Sequence, residues 1–157
     1  LGLRGHALTY LGRTPEADRA YADALALSPE DPYLRHLVAS AGHAPPPERA
    51  APDYVRAVFD DYAPRFDQHL IDLGYRVPGL MRAALLRRLA GDDGTLGPMW
   101  RGLPWLDLGC GTGLCAVVLS DLPLGPATGV DLSPNMLAEA RAKGLYAHLI
   151  EADLLDA

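Results

Sequence analysis

The chain has 157 residues, of which 49% are hydrophobic and 22% are charged, and its formal net charge is −6. This length and apolar content allow a buried core in one domain, or in one domain with an appendage, and exclude a disordered tail. The basic residues form no cluster long enough to follow a phosphate backbone, so nucleic acid is not expected as a partner. No apolar run reaches the roughly 18 residues that a membrane-spanning helix needs, so no membrane partner is expected.

The cysteines and histidines predict a cytoplasmic protein without a metal site. Cys110 and Cys115 lie five residues apart with no second pair, which favours neither a disulfide framework nor a thiolate zinc site. The histidines have no metal-ligand spacing and are expected to be solvated or packed: His6, His36, His43, His69 and His148. Lys143 is the only lysine among 14 basic residues, which indicates a G+C-rich, bacterial genome.

The first 29 residues show apolar and small side chains at intervals of three and four, which predicts two short amphipathic helices. Residues 11–15 separate them, with Gly12 at positive φ and Thr14 capping the helix that Pro15 begins. A further helix is predicted over residues 33–41. The pattern resembles one tetratricopeptide repeat, whose signature positions match Gly5, Leu8, Leu11, Gly12, Ala17, Tyr21, Ala24 and Pro29.

A single repeat cannot bury its own apolar face, so residues 1–41 are expected to be a stub of a longer array or a packing appendage. Binding of a protein partner is the alternative. Since the chain starts inside a predicted helix, we expect it to be a piece of a longer product. Residues 42–52, with three consecutive prolines at 45–47, predict a semi-rigid linker, and residues 53–157 are predicted to form the second domain.

The second domain begins with predicted helices and continues with alternating strands and helices. Short helices are predicted over residues 54–62 and 66–73, and a longer one from Val77 to Gly91 with Met81, Leu85 and Leu89 on one face. Strands are predicted over residues 105–108, 127–131 and 146–150, and helices over 114–122 and 134–143, the latter ended by Gly144. This alternation predicts an α/β fold with a parallel sheet and right-handed crossovers.

The stretch DLGCGTG, residues 107–113, lies where the first predicted strand passes into a helix. Three glycines at alternate positions let the backbone bend sharply and approach a ligand, at the strand ends where open α/β sheets bind. Twenty residues after Gly111, Asp131 ends the second predicted strand, where its carboxylate can accept hydrogen bonds from both hydroxyls of a ribose. The pattern therefore predicts a nucleoside ligand.

The spacing favours one nucleoside over another. In the dinucleotide fingerprint G-x-G-x-x-G the third glycine would stand where this chain has Leu114, which disfavours a nicotinamide-dependent oxidoreductase. Asp107, two residues before the first glycine, suits a ligand with an ammonium group better than a pyrophosphate. S-adenosylmethionine has such a group.

These residues resemble the class I S-adenosylmethionine-dependent methyltransferases, and the likeness covers most of residues 54–157. It implies a partial Rossmann-like methyltransferase fold in which Asp107 and the glycines hold the methionine portion and Asp131 holds the ribose. Leu132 and Met136 would pack on adenine, and Asp153 would accept a hydrogen bond from its amino group. The whole set implied to bind the cofactor is Asp107, Gly109, Cys110, Gly111, Thr112, Gly113, Asp131, Leu132, Met136, Ala152, Asp153 and Leu154.

Residues 53–91 resemble the lid that precedes this fold. A sulfonium is a cation, so an aromatic face offers it a contact of roughly 0.5–2 kcal/mol. Tyr62 and Phe66 are the first candidates, Tyr54 and Tyr75 the second, and each ring has core packing as its alternative. Cys110 has no base nearby in sequence and is expected to be a small filler rather than a nucleophile.

The resemblance implies that acceptor and base residues follow the fourth strand, whereas this chain ends just past the third predicted strand. The methyl acceptor, a small metabolite in preference to a protein, and any catalytic residue are therefore unassigned. The first strand is expected to have an open edge and a bare apolar face, which missing residues or another chain would cover. We expect the chain alone to be inactive and to bind S-adenosylmethionine poorly. An interaction protein with an inactive methyltransferase-like domain is the other alternative.

Overall fold

A computed structural model describes residues 2–42, 49–91 and 95–156. The chain divides into two compact units, Leu1–Ala57 and Val58–Ala157. The three consecutive prolines of the predicted linker, residues 45–47, lie outside the described residues. Over the described ranges, no helix combines the length and the apolar character required to cross a membrane.

The first unit contains helices α1 (Gly2–Tyr10), α2 (Thr14–Leu27) and α3 (Pro32–Ser40), followed by the start of α4 (Pro52–Asp72). Its core brings together Leu8, Ala17, Ala20, Tyr21 and Val38. A Cβ atom on Gly5 would overlap the ring of Tyr21, so the ring fills a space that only glycine leaves open. The lack of a side chain at Gly5 therefore lets α1 pack closely against α2.

The turn between α1 and α2 differs from the prediction at its cap. Gly12 has a φ of 71°, as predicted for the residue that ends the first helix. The predicted cap Thr14 is wrong: α2 begins at Thr14, and Arg13 occupies the N-cap position with no side-chain cap. Arg13 instead forms a hydrogen-bonded ion pair with Glu16 in the first turn. A carboxylate near a helix N-terminus is favourable, which offsets the missing cap.

Helix α4 corrects the prediction of two short helices, because it runs unbroken from Pro52 to Asp72 with Pro64 inside it. A proline within a helix leaves the carbonyl four residues earlier without its usual donor. That carbonyl belongs to Asp60, and the side-chain amide of Asn135 donates to it at 3.1 Å. The helix continues because a partner distant in sequence satisfies the group that proline releases.

The second unit holds the rest of α4, helix α5 (Val77–Leu89), a 3₁₀ turn (Pro98–Trp100) and a three-stranded sheet. The strands β1 (Trp105–Leu108), β2 (Ala127–Asp131) and β3 (His148–Glu151) are parallel in the order β1-β2-β3. Helix α6 (Leu114–Leu119) connects the first two strands and helix α7 (Pro134–Lys143) the second and third. The predicted α/β class with a parallel sheet is confirmed.

Two element boundaries in this unit differ from the prediction: the end of α6 and the start of β3. Helix α6 ends at Leu119 instead of residue 122. The hydroxyl of Ser120, the next residue, donates to the carbonyl of Val117. Strand β3 begins at His148 instead of residue 146. Tyr146 lies before the strand, and its side chain contacts β1, as described below.

Strand β1 is the edge strand of the described sheet, and it pairs only with β2 among the described strands. Leu106 and Leu108 point to the same face and are 65% and 62% exposed. In the described residues β1 therefore has an open edge and an exposed apolar face. Such an edge favours pairing with another backbone segment.

Replacing Gly5 with alanine tests the contact between α1 and α2. Alanine has the higher helix propensity, but its methyl group would overlap Tyr21, so we expect a loss of about 1–3 kcal/mol in the free energy of unfolding. Urea unfolding followed by circular dichroism measures it. Gly2→Ala in the same helix is the control, since a Cβ there lies 3.7 Å from Leu34 and fits. Equal stability of the two variants would contradict the packing account.

Candidate functional site

The glycine turn, residues 109–113, joins β1 to α6 in a backbone conformation that other residues rarely adopt. Gly109, Gly111 and Gly113 have φ values of 72°, 53° and 90°. The N–H groups of Gly109 and Cys110 donate to the carbonyl of Val130 at 2.8 and 3.0 Å. The turn is therefore fixed to the end of β2, as the sequence predicts for a ligand-binding turn between strand and helix.

The three glycines have different surroundings. A Cβ atom on Gly111 would meet nothing within 4 Å, and one on Gly109 would meet only Leu154, at 4.0 Å. A Cβ atom on Gly113 would lie 3.0 Å from the ring of Tyr146, and Gly113 itself is buried. Open backbone suitable for a ligand is thus present at Gly109 and Gly111, whereas Gly113 makes room for a side chain.

Asp131 at the end of β2 is hydrogen-bonded directly to the glycine turn. Its Oδ2 atom accepts from the N–H of Gly111 at 2.8 Å, and its Oδ1 atom accepts from the N–H of Ser133 at 2.9 Å. Each carboxylate oxygen has two acceptor sites, so both retain capacity for a further donor. The turn and the carboxylate predicted to act together therefore lie at one edge of the sheet.

The residues after β3 reach the same edge. The N–H of Ala152 donates to the carbonyl of Asp131 at 3.0 Å, and Leu154 lies beside Gly109. The carboxylate of Asp153 accepts from the N–H of Leu155 at 3.0 Å. Parallel strands bring their carboxyl ends together, which is why these residues meet although they are distant in sequence.

The two residues predicted to contact adenine differ in exposure. Leu132 is half-buried, whereas Met136 is 1% exposed and lies in the interior beside the N-terminus of α7. The hydroxyl of Ser133 caps α7 by accepting from the N–H of Met136 at 3.0 Å. Leu132 is available to a ligand at this edge, and we leave Met136 out of the proposed contacts.

Asp107 in β1 has a partner that the sequence did not reveal. The hydroxyl of Tyr146 donates to its Oδ2 atom at 2.6 Å. Burial raises the pKa of the Tyr146 phenol, and the hydrogen bond to Asp107 raises it further. Tyr146 therefore remains a protonated donor at neutral pH. Its spacing of 39 residues from Asp107 carries no local pattern by which the pair could be recognised.

Cys110 lies within the turn and is buried. Burial, followed by the nearby charges of Asp131 and Asp107, raises the pKa of its thiol to about 12. A thiol with such a pKa is protonated at neutral pH and is a poor nucleophile. This agrees with its expected role as a small filler.

Helix α4 is attached to the glycine turn through Asp67. The hydroxyl of Thr112 donates to Asp67 at 2.5 Å, and Lys143 forms an ion pair with the same carboxylate at 2.7 Å. Lys143 also donates to the carbonyl of Thr112 at 2.8 Å. Thr112 is almost completely buried, so Asp67 supplies the acceptor that its hydroxyl needs.

A second acid of α4 attaches the helix to the start of α7. The carboxylate of Asp60 accepts from the hydroxyl of Ser133 at 2.5 Å and from the N–H of Asn135 at 3.1 Å. Asp60 and Asp67 are seven residues apart, two turns on the same face of a helix. Their spacing is visible in the sequence, but their partners become apparent only in the folded unit.

The four aromatic candidates of the lid have different positions. Phe66 and Tyr75 line a cavity of about 290 Å³ beside the glycine turn. Tyr62 packs edge-on against Phe66 with ring centroids 5.2 Å apart, and its hydroxyl is bonded to His69. Tyr54 belongs to the first unit, where it stacks on His36 at 4.2 Å. We therefore retain Phe66 and Tyr75, with Tyr62 as support, and leave Tyr54 out.

Replacing Asp67 with asparagine tests the attachment of α4. The variant loses the charge that faces Lys143, both partners being partly exposed, so we expect a loss of about 1 kcal/mol in stability. We also expect faster amide hydrogen exchange in residues 58–72, measured by mass spectrometry. Asp61→Asn is the matched control, because Asp61 pairs with Arg65 on the same helix and its side chain is 82% exposed. Identical exchange in the two variants would contradict the attachment.

The part of the chain that matches a known protein family contains the glycine turn and, apart from Trp105, the three strands. Residues 106–157 match a family model described as a methyltransferase domain. The chain is 41% identical over 91 residues to Methyltransferase-like protein 27 of Homo sapiens, covering 58% of this chain and 34% of that protein. It is 37% identical over 95 residues to a demethylmenaquinone methyltransferase of Chlorobaculum tepidum, covering 57% and 35%.

A further relative is a trans-aconitate 2-methyltransferase of Enterobacter, 44% identical over 73 residues, with 46% of this chain and 26% of that protein covered. Among solved structures, a complex titled "DhpI-SAH complex structure" aligns with a TM-score of 0.47 at 30% identity, covering 64% of this chain and 44% of that one. The chain spans about a third of the length of the first curated relatives it matches.

Proposed function

We propose that the protein is an S-adenosylmethionine-dependent methyltransferase and that residues 58–157 supply its cofactor site. The hydrogen bond between the N–H of Gly111 and the carboxylate of Asp131 is the observation that carries this proposal. This hydrogen bond joins uncovered glycine backbone to a carboxylate that can accept hydrogen bonds from ribose hydroxyls. Both groups lie at one edge of a parallel sheet. The match of residues 106–157 to a methyltransferase domain supports the same function.

The residues present fit such a cofactor in shape and charge. Gly109 and Gly111 leave a stretch of backbone with little side-chain cover. The carboxylate of Asp131 is bonded to Gly111, and Asp107 lies two residues before Gly109. We assign Asp131 to the ribose hydroxyls and Asp107 to the ammonium group. Leu132 is assigned to the adenine ring.

The remaining assignments concern the adenine amino group and the sulfonium. Asp153 follows β3 at the same edge and is assigned to the amino group. Phe66 and Tyr75 line the cavity beside Thr112, and we assign their rings to the sulfonium through a cation–π contact. When bound, S-adenosylmethionine supplies a methyl group on a good leaving group, so orientation is the main contribution required of the chain.

We propose a small metabolite as the methyl acceptor. The names of the relatives from Chlorobaculum tepidum and Enterobacter refer to small molecules, a demethylmenaquinone and trans-aconitate, which supports this class. No residue of the chain is assigned as a general base. One is needed only where the acceptor atom carries a proton at the working pH.

For the first unit we propose a tetratricopeptide-like hairpin that belongs to a longer helical array or packs as an appendage in the whole protein, with binding of a protein partner as the alternative. The packing of Tyr21 over Gly5 supports the likeness, because this pair occupies two signature positions of the repeat. A cytoplasmic, bacterial setting is proposed on the reduced cysteines and the arginine-rich composition. We also propose that the exposed edge and apolar face of β1 are covered in the whole protein, so that the isolated chain binds the cofactor less well.

Replacing Asp131 with asparagine tests the ribose assignment. A hydrogen bond to a charged group contributes roughly 1.5–3 kcal/mol, so we expect binding of S-adenosylmethionine to weaken by roughly 10- to 100-fold. Isothermal titration of the whole protein measures the affinity, and transfer of a radiolabelled methyl group to a cell lysate measures the activity. Asp61→Asn serves as the control, and a thermal melt establishes that each variant is folded. Undiminished binding by folded Asp131→Asn would remove Asp131 from the site.

A further inference from the structure

Tyr146 occupies a position on the sheet that two glycines leave open. It precedes β3, and its ring lies against Gly113 of the turn and Gly129 of β2, where a Cβ atom on either would come within 3.0 Å of it. Gly129 is the direct neighbour of Asp107 in the pairing of β1 with β2. The absence of a side chain at Gly129 therefore gives the phenol a path across β2 to the carboxylate.

The hydroxyl and the ring of Tyr146 have separable roles. The ring fills the space above Gly113 and Gly129 and packs at a tilt against Trp105, with centroids 6.3 Å apart. The hydroxyl adds a single polar contact, its donation to Oδ2 of Asp107 at 2.6 Å. Packing alone would be served by phenylalanine, so the hydroxyl requires its own explanation.

We propose that Tyr146 is a positioning residue that holds the carboxylate of Asp107 in the orientation needed to receive the ammonium group of S-adenosylmethionine. The inference rests on the function proposed above. An aspartate can turn about two side-chain bonds, and a donor on a rigid, buried ring restricts that rotation before the ligand arrives. The phenol is bonded to Oδ2, and we assign Oδ1 to the ammonium group.

Prior orientation lowers the entropy that the ligand must offset on binding. The benefit is confined to ligands that carry the ammonium group, because the adenosine portion is assigned to other residues. Tyr146 therefore affects the binding of the ammonium end of the cofactor and leaves the binding of the adenosine end unchanged. A purely structural role would affect both ends alike.

Tyr146→Phe separates the two possibilities, since it keeps the ring and removes the hydroxyl. In the whole protein we expect it to weaken S-adenosylhomocysteine, which has the ammonium group, by about tenfold. Binding of 5′-methylthioadenosine, which lacks that group, stays unchanged. In turnover the KM for S-adenosylmethionine rises while kcat is kept, because the contact is equally present in the ground and transition states. Isothermal titration and steady-state kinetics provide these values.

The control is Tyr21→Phe, which removes a hydroxyl bonded to Thr9 and His6 in the first unit and should alter neither ligand. In an Asp107→Asn background the effect of Tyr146→Phe should disappear, as expected of two residues acting through one contact. Equal weakening of both ligands, or wild-type affinity for both, would overturn the positioning role. Wild-type protein that binds neither ligand would overturn the proposed methyltransferase function, and this inference with it.

Discussion

The hydrogen bond between Gly111 and Asp131 is the constraint on which the site depends. Gly111 has a positive φ, and its N–H donates to the carboxylate of Asp131 at the end of β2. The N–H groups of Gly109 and Cys110 are held by the neighbouring carbonyl of Val130. Consecutive residues of the turn are thus bonded to consecutive residues of β2. The turn has its shape only while β1 and β2 are paired in parallel, so the fold and the site form together.

Helix α4 is also held by hydrogen bonds to carboxylates. Asp67 bonds to the glycine turn and Asp60 to the start of α7, so one face of α4 is attached to both of the loops that follow β1 and β2. A movement of α4 away from the sheet would break charge-assisted contacts at both points. The attachment also places Phe66, next to Asp67, in the wall of the cavity beside the turn. The position of the aromatic rings thus follows from the acids that flank them.

Features set by local sequence were predictable, whereas features set by distant partners were not. The alternation of strands and helices, the positive φ of the turn glycines and the meeting of the turn with Asp131 all follow from local patterns and from the geometry of parallel sheets. The unbroken helix through Pro64 depends on Asn135, 71 positions away, and the use of Gly113 depends on Tyr146. In both, a tertiary contact outweighs a local signal, since proline normally ends a helix and alternate glycines normally indicate a ligand.

The most direct measurement of the central claim is a nuclear magnetic resonance titration of the isotope-labelled whole protein with S-adenosylhomocysteine. The account predicts the largest amide shifts at Gly109, Gly111, Ser133 and Asp153, with residues 2–42 unchanged. NADH at the same concentration should leave those amides unmoved. Saturable binding that shifts amides elsewhere and leaves Gly111 and Ser133 in place, or an equal response to NADH, would contradict the account.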